Sequence, residues 1–95
     1  DPAPYLAAVD ALGLRAADCV AVEDSALGVA SAHAAGCAVL NVAPGLRSEL
    51  AHAWAPSLER VGVGEIRRAL RERDRRGAGF DVVDAQHAAE VVHLV

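Results

Sequence analysis

The chain has 95 residues, no Met, and nine basic residues that are all Arg; against thirteen Asp and Glu they leave a formal net charge of −4. One small domain with a modest core fits that length, and two do not. With 54% hydrophobic and only 3% aromatic residues there is enough apolar surface to offset chain entropy, so a folded domain rather than a disordered chain is expected, and the acidic balance argues against a general nucleic-acid binder.

Pro4 to Leu12 is predicted as a helix: Pro suits a first helical turn, Tyr5, Ala8 and Leu12 share a face beside Leu6 and Val9, and Gly13 supplies a stop. Cys19-Val20-Ala21-Val22 is a short apolar run without alternation, as expected of a strand covered on both faces. It ends in Glu23-Asp24-Ser25. Ala26 to Ala35 reads as a second helix closed by Gly36, with Leu27, Ala30 and Ala34 as its apolar stripe. Ala38-Val39-Leu40-Asn41-Val42 is a second buried strand, stopped by Ala43-Pro44-Gly45. Strand, helix and strand with about a dozen connecting residues is the length a parallel crossover needs, which points to an α/β doubly wound sheet.

Leu46 to Ala51 suggests a short helix, Ala53-Trp54-Ala55 a third strand cut off by Pro56, and Gly64 to Arg73 a charged helix anchored by Ile66 and Leu70. Phe80 to Val83 is expected as a strand and Ala85 to Leu94 as a helix. Residues 1–70 therefore form the domain portion, and 71–95 stay unassigned as a tail or the start of a further segment.

Twenty-two residues without a charge separate Asp24 from Arg47, long enough by count to span a bilayer. Gly28, Gly36, Asn41, Pro44 and Gly45 interrupt them, so the run reads as a buried helix and strand and no membrane association is expected. Cys19 and Cys37 lack a metal spacing and cannot by themselves staple a secreted miniprotein; they read as buried thiols of a cytoplasmic protein.

Ligands of open α/β sheets bind beyond the carboxyl ends of the strands, where Glu23 and Asp24 stand. Two adjacent carboxylates repel unless a cation lies near, and Mg²⁺, a hard ion taking oxygen ligands, suits such a pair. The competing reading makes Asp24 or Ser25 a helix cap and points Glu23 at solvent.

Asp1-Pro2-Ala3-Pro4-Tyr5-Leu6-Ala7-Ala8, Ala11-Leu12-Gly13-Leu14, Cys19 through Val29 and Ala32-His33-Ala34-Ala35-Gly36 occur in this order. Together they resemble the C-terminal half of the haloacid dehalogenase (HAD)-like hydrolases, nearest to the β-phosphoglucomutase and phosphoglycolate phosphatase branch. The likeness is specific over residues 1 to about 45, looser to about 70, where Pro56-Ser57-Leu58-Glu59 resembles the last strand-and-loop segment, and ends there. It implies a Rossmann-like (HAD-like) doubly wound parallel sheet, of which this is the C-terminal portion. It also implies Mg²⁺ as cofactor, held by Asp24 and Glu23, with Ser25 and Gly28 shaping the junction. The implied chemistry is phosphoryl transfer through an aspartyl-phosphate on a small phosphorylated metabolite.

The departures are as specific. No Asp-x-Asp motif follows a first strand; Asp81-Val82-Val83-Asp84 has two intervening residues and lies near the C-terminus. The family's phosphate-gripping Ser or Thr belongs upstream, and its Lys would fall just before Asp1. A chain opening on Asp1-Pro2 without Met is thus expected to be a fragment, inactive alone, whose parent carries Lys about two residues before Asp1. Its apolar sheet edge is expected to make the isolated chain aggregate or remain partly molten. The alternative is a non-catalytic α/β fragment or interaction module whose acidic junction is only a cap.

Six Arg between Arg67 and Arg76 are interleaved with Glu72 and Asp74 and have no aromatic beside them, which reads as a solvated helix face with intrahelical ion pairs rather than a nucleic-acid surface. His87 and His93 are six apart, unsuited to one helical metal face, and His33 and His52 stand alone. Ser48 and Ser57 have no recognisable base partner.

Overall fold

The computed structural model describes residues 1–45, 47–76 and 90–93 of the chain. Helix α1 (Ala3–Ala11) leads through a 3₁₀ turn into β1 (Cys19–Glu23), α2 (Ala26–Ala35), β2 (Ala38–Val42), β3 (Ala53–Ala55), α3 (Val63–Arg76) and β4 (Glu90–His93). The strands form one sheet in the order β3-β2-β1-β4, and all pairs are parallel. The chain is a small α/β domain, as expected.

Strand alternation divides the core in two. Cys19 and Ala21 of β1 and Val39 of β2 pack with Tyr5 and Val9 of α1 and with Val29 and Ala32 of α2. Val20, Val22, Leu40 and Val42 pack on the other face with Ala69 and Leu70 of α3. Both central strands are buried along their whole length, which is why they lack an alternating polar pattern. Cys19 and Cys37 are buried free thiols, and burial pushes Cys37 up to about 11.

Several elements depart in detail from expectation. The buried residues of α2 are Val29 and Ala32, whereas Leu27 is 85% exposed; in so Ala-rich a helix, residue size does not mark the inner face. In α1 Tyr5 and Val9 are inside, while Leu6 and Leu12 are exposed. Ser48 to Ala51 forms a hydrogen-bonded turn instead of a helix. Of the expected C-terminal helix, Glu90–His93 is instead a strand along β1, with Val20 opposite Val91; residues 77–89, including the expected strand at 80–83, lie outside the described residues. Gly36 closes α2 at φ +97, a left-handed conformation that a side chain would disfavour.

His33 and His52, which looked isolated in the sequence, stack with ring centroids 5.7 Å apart. His52 also closes the start of β2: its Nδ1 accepts from Val39 N at 2.9 Å while its own N donates to Val39 O at 2.8 Å. Burial, then the nearby Arg76 charge, pulls the His52 imidazole down to about 4. As pH falls below 6.5 the unfolded chain binds a proton that the folded chain refuses until about pH 4. Stability therefore drops across that window, by up to about 1.4 kcal/mol per pH unit from this group. His52→Asn, which keeps an acceptor without the titrating ring, is expected to flatten that slope in urea midpoints measured between neutral pH and about pH 4. An unchanged slope would count against it.

Candidate functional site

Alternation that sends Cys19 and Ala21 toward α1 and α2 sends Glu23 the same way. The result is a buried carboxylate, only 5% exposed, under the first turn of α2. Tyr5, brought in by α1 and 1% exposed, donates its hydroxyl to Glu23 Oε2 at 2.6 Å. The other oxygen lies against Gly28: a Cβ there would fall 2.0 Å from Glu23 Oε1 and 2.2 Å from its Cδ. A side chain at Gly28 would therefore have to displace the Glu23 carboxylate from this position. Burial, then the bond to Glu23 and its charge, pushes the Tyr5 phenol well above its ordinary value of 10.0.

Asn41 adds a second clamp that the sequence reading passed over. It lies opposite Glu23 in the β1–β2 register, donates from Nδ2 to Glu23 O at 3.1 Å, and accepts from Ser48 N at 2.9 Å. Its signal was a lone polar residue inside the apolar run 38–42, which is buried only when its amide is bonded.

Asp24 is the first residue past the strand and is exposed. Its carboxylate makes no hydrogen bond or ion pair with the described residues. Ser25 is the helix cap, its Oγ accepting from Gly28 N at 3.0 Å. The capping half of the alternative reading therefore falls to Ser25, and Glu23, expected there to face solvent, is buried instead.

Two depressions border this junction. One is lined by Pro4, Tyr5, Leu27 and Ser31 together with Glu23 and Asp24. The other, about 280 Å³, opens over the carboxyl ends of the sheet between Val22, Glu23, Asp24, Val42, Pro44 and Pro56. The four residues singled out from the sequence, Glu23, Asp24, Ser25 and Gly28, are thus brought together, with two carboxylates aimed differently. Among the described residues no group of three or more His, Cys, Asp or Glu could hold a metal ion. Mg²⁺ keeps several waters and takes one or two protein carboxylates, so exposed Asp24 beside Glu23 fits it in donor type.

Asp81 and Asp84 lie outside the described residues, as does His87. Ser57 precedes a 3₁₀ turn without a side-chain cap, and Ser48 Oγ accepts from Leu50 N. Among the described residues no helix is long and apolar enough to cross a membrane. Comparison with known proteins found no family, no curated protein and no solved structure that matches the chain.

Tyr5→Phe removes the only donor to the Glu23 carboxylate among the described residues and is expected to cost about 1.5–3 kcal/mol, the usual loss when a bonded, charged group is left buried. Glu23→Gln, which keeps an acceptor, should cost less. Tyr5 is the only tyrosine, so phenolate absorbance reports it directly. Above pH 10 the unfolded chain ionises and the folded chain does not, so stability falls there and the absorbance rise should coincide with alkaline unfolding. A rise centred near pH 10 in a still-folded chain would refute the buried bond.

Proposed function

We propose that this chain is the C-terminal portion of the core domain of a HAD-like hydrolase, supplying the acidic junction that holds Mg²⁺. The parent enzyme is a Mg²⁺-dependent phosphatase or sugar phosphomutase of the cytoplasm, acting on a small phosphorylated metabolite through an aspartyl-phosphate. The observation that carries this reading is the position of Asp24: exposed, unengaged by the described residues, and at the carboxyl end of a central parallel strand beside a crevice. In open α/β sheets that is where ligands bind.

On this reading Asp24 holds the ion directly. Glu23, fixed by Tyr5 and Gly28, completes the acidic pair from inside and sets the backbone that aims Asp24. Ser25 ties down the first turn of α2. When bound, Mg²⁺ would neutralise charge on the transferring phosphoryl group. The nucleophile, the phosphate-gripping hydroxyl and the Lys belong to the preceding half of the parent protein, so this chain alone is expected to turn over no phosphate ester.

A second reading has its own support: Ser25 as cap and Glu23 as the partner of Tyr5 give two of the three junction residues structural work, as a non-catalytic α/β module would need. Calorimetric titration of Mg²⁺ into the parent protein separates the two. Asp24→Asn is expected to weaken Mg²⁺ at least about tenfold and to lower phosphatase rate with it, while leaving the urea midpoint nearly unchanged because the side chain is exposed. If Asp24→Asn and Glu23→Gln both leave Mg²⁺ affinity and rate unaltered, the junction is not a metal site.

A further inference from the structure

We propose that a groove along the outer edge of β3, walled by Arg47, Arg68 and Arg76, binds a small phosphate-bearing molecule. The groove has a volume of about 420 Å³, within the range of small-ligand sites, and its lining shares no residue with either depression at Asp24. It wraps the sheet edge. The turn before β3 contributes Arg47 and Ser48, β3 contributes Trp54, and α3 contributes Arg68 and Arg76.

The three cations are engaged differently. Arg76 donates from Nε to Glu72 at 2.9 Å and from one terminal nitrogen to Ala51 O at 3.0 Å, which fixes its fork and leaves its second terminal nitrogen unassigned. Arg47 lies over the Trp54 ring, 4.5 Å from its centroid, a contact that orients the guanidinium while leaving its N–H edge unspent. Arg68 has no hydrogen bond or ion pair with the described residues.

Among the described residues Glu49 also lines the groove, the Arg73 charge reaches His52 in its wall, and Glu72 is held by Arg75 and Arg76 through paired hydrogen bonds. His52 in the wall is neutral at physiological pH, and its Nδ1 is occupied by Val39 N, so its remaining proton sits on Nε2. Three arginines, His52 and Ser48 line the groove with a single carboxylate, Glu49, among its lining residues, a donor set suited to phosphate oxygens. Arg supplies the planar, bidentate fork that phosphate accepts best.

Trp54, the only tryptophan, stands in the wall and reports occupancy. With the 95-residue chain first shown to be folded by a cooperative urea transition, the test titrates pyrophosphate, then ATP, into it in chelator-treated buffer at constant ionic strength, read by Trp54 emission and in parallel by calorimetry. A saturable response is expected in both. Arg47→Ala and Arg68→Ala should each weaken binding about tenfold by calorimetry, the loss of one charge-assisted contact. Arg67→Ala, on the exposed face of the same helix, should leave binding unchanged, and so should Asp24→Asn, which keeps this test independent of the metal junction.

Three results would overturn the proposal. One is no saturable signal in either measurement; another is equal affinity in wild type and the Arg47→Ala/Arg68→Ala double variant. The third is much tighter binding of a single-stranded RNA oligomer through the same arginines, which would make the groove part of a polyanion surface.

Discussion

The contact on which this small structure turns is the carboxylate of Glu23, buried between the Tyr5 hydroxyl and the backbone at Gly28. A polar group inside a protein is tolerated only when bonded, and here one hydrogen bond and one close approach join α1, β1 and α2 at a single point. Removing the donor leaves a buried carboxyl without its Tyr5 partner, and adding a methyl at Gly28 forces that carboxyl to move. The sheet supplies the fourth direction, because Asn41 reaches across from β2 to bond the Glu23 carbonyl. Asp24 is aimed by this arrangement without belonging to it.

Two neighbouring carboxylates consequently have different physical lives. Strand geometry turns Glu23 inward with Cys19 and Ala21; the chain leaves the sheet at the next residue, and Asp24 stands in solvent beside the crevice over the strand ends. An acidic pair that looks symmetrical along the chain divides into a buried member that fixes the backbone and an exposed member free to meet a ligand. That division underlies the proposed metal role and limits it, since Asp24 alone offers both oxygens.

The other face of the sheet follows separate logic. Helix α3 seats Ala69 and Leu70 on β1 and β2 and turns its charges outward. Some of those charges are consumed locally: Arg73 pairs with Asp74, and Arg75 and Arg76 share Glu72. The expected solvated, ion-paired face therefore describes the last turn and a half well. It does not describe Arg68, which joins Arg47 and Arg76 around the edge of β3, a grouping assembled from positions twenty-nine residues apart at the extremes.

What the sequence by itself determined was local. The apolar runs at 19–22 and 38–42, too short for helices and unbroken by polar alternation, specified two buried strands. Ser25 and Gly36 marked the ends of the helix between them, because capping and left-handed closure depend on residues a few positions away. Spacing also placed Glu23 and Asp24 at a strand end. Tertiary structure decided which way each points, since facing depends on neighbours supplied by α1 and α2. It selected the inner side of α2, whose small residues carry little amphipathic signal, through the close approach at Gly28. It made β4 a strand by pairing Glu90–His93 with β1, where an apolar tract alone is equally compatible with a helix. It also brought together Tyr5 with Glu23, Asn41 with Ser48, His33 with His52, and three arginines with Trp54. These are contacts between residues distant in the chain, and no periodicity in sequence records them.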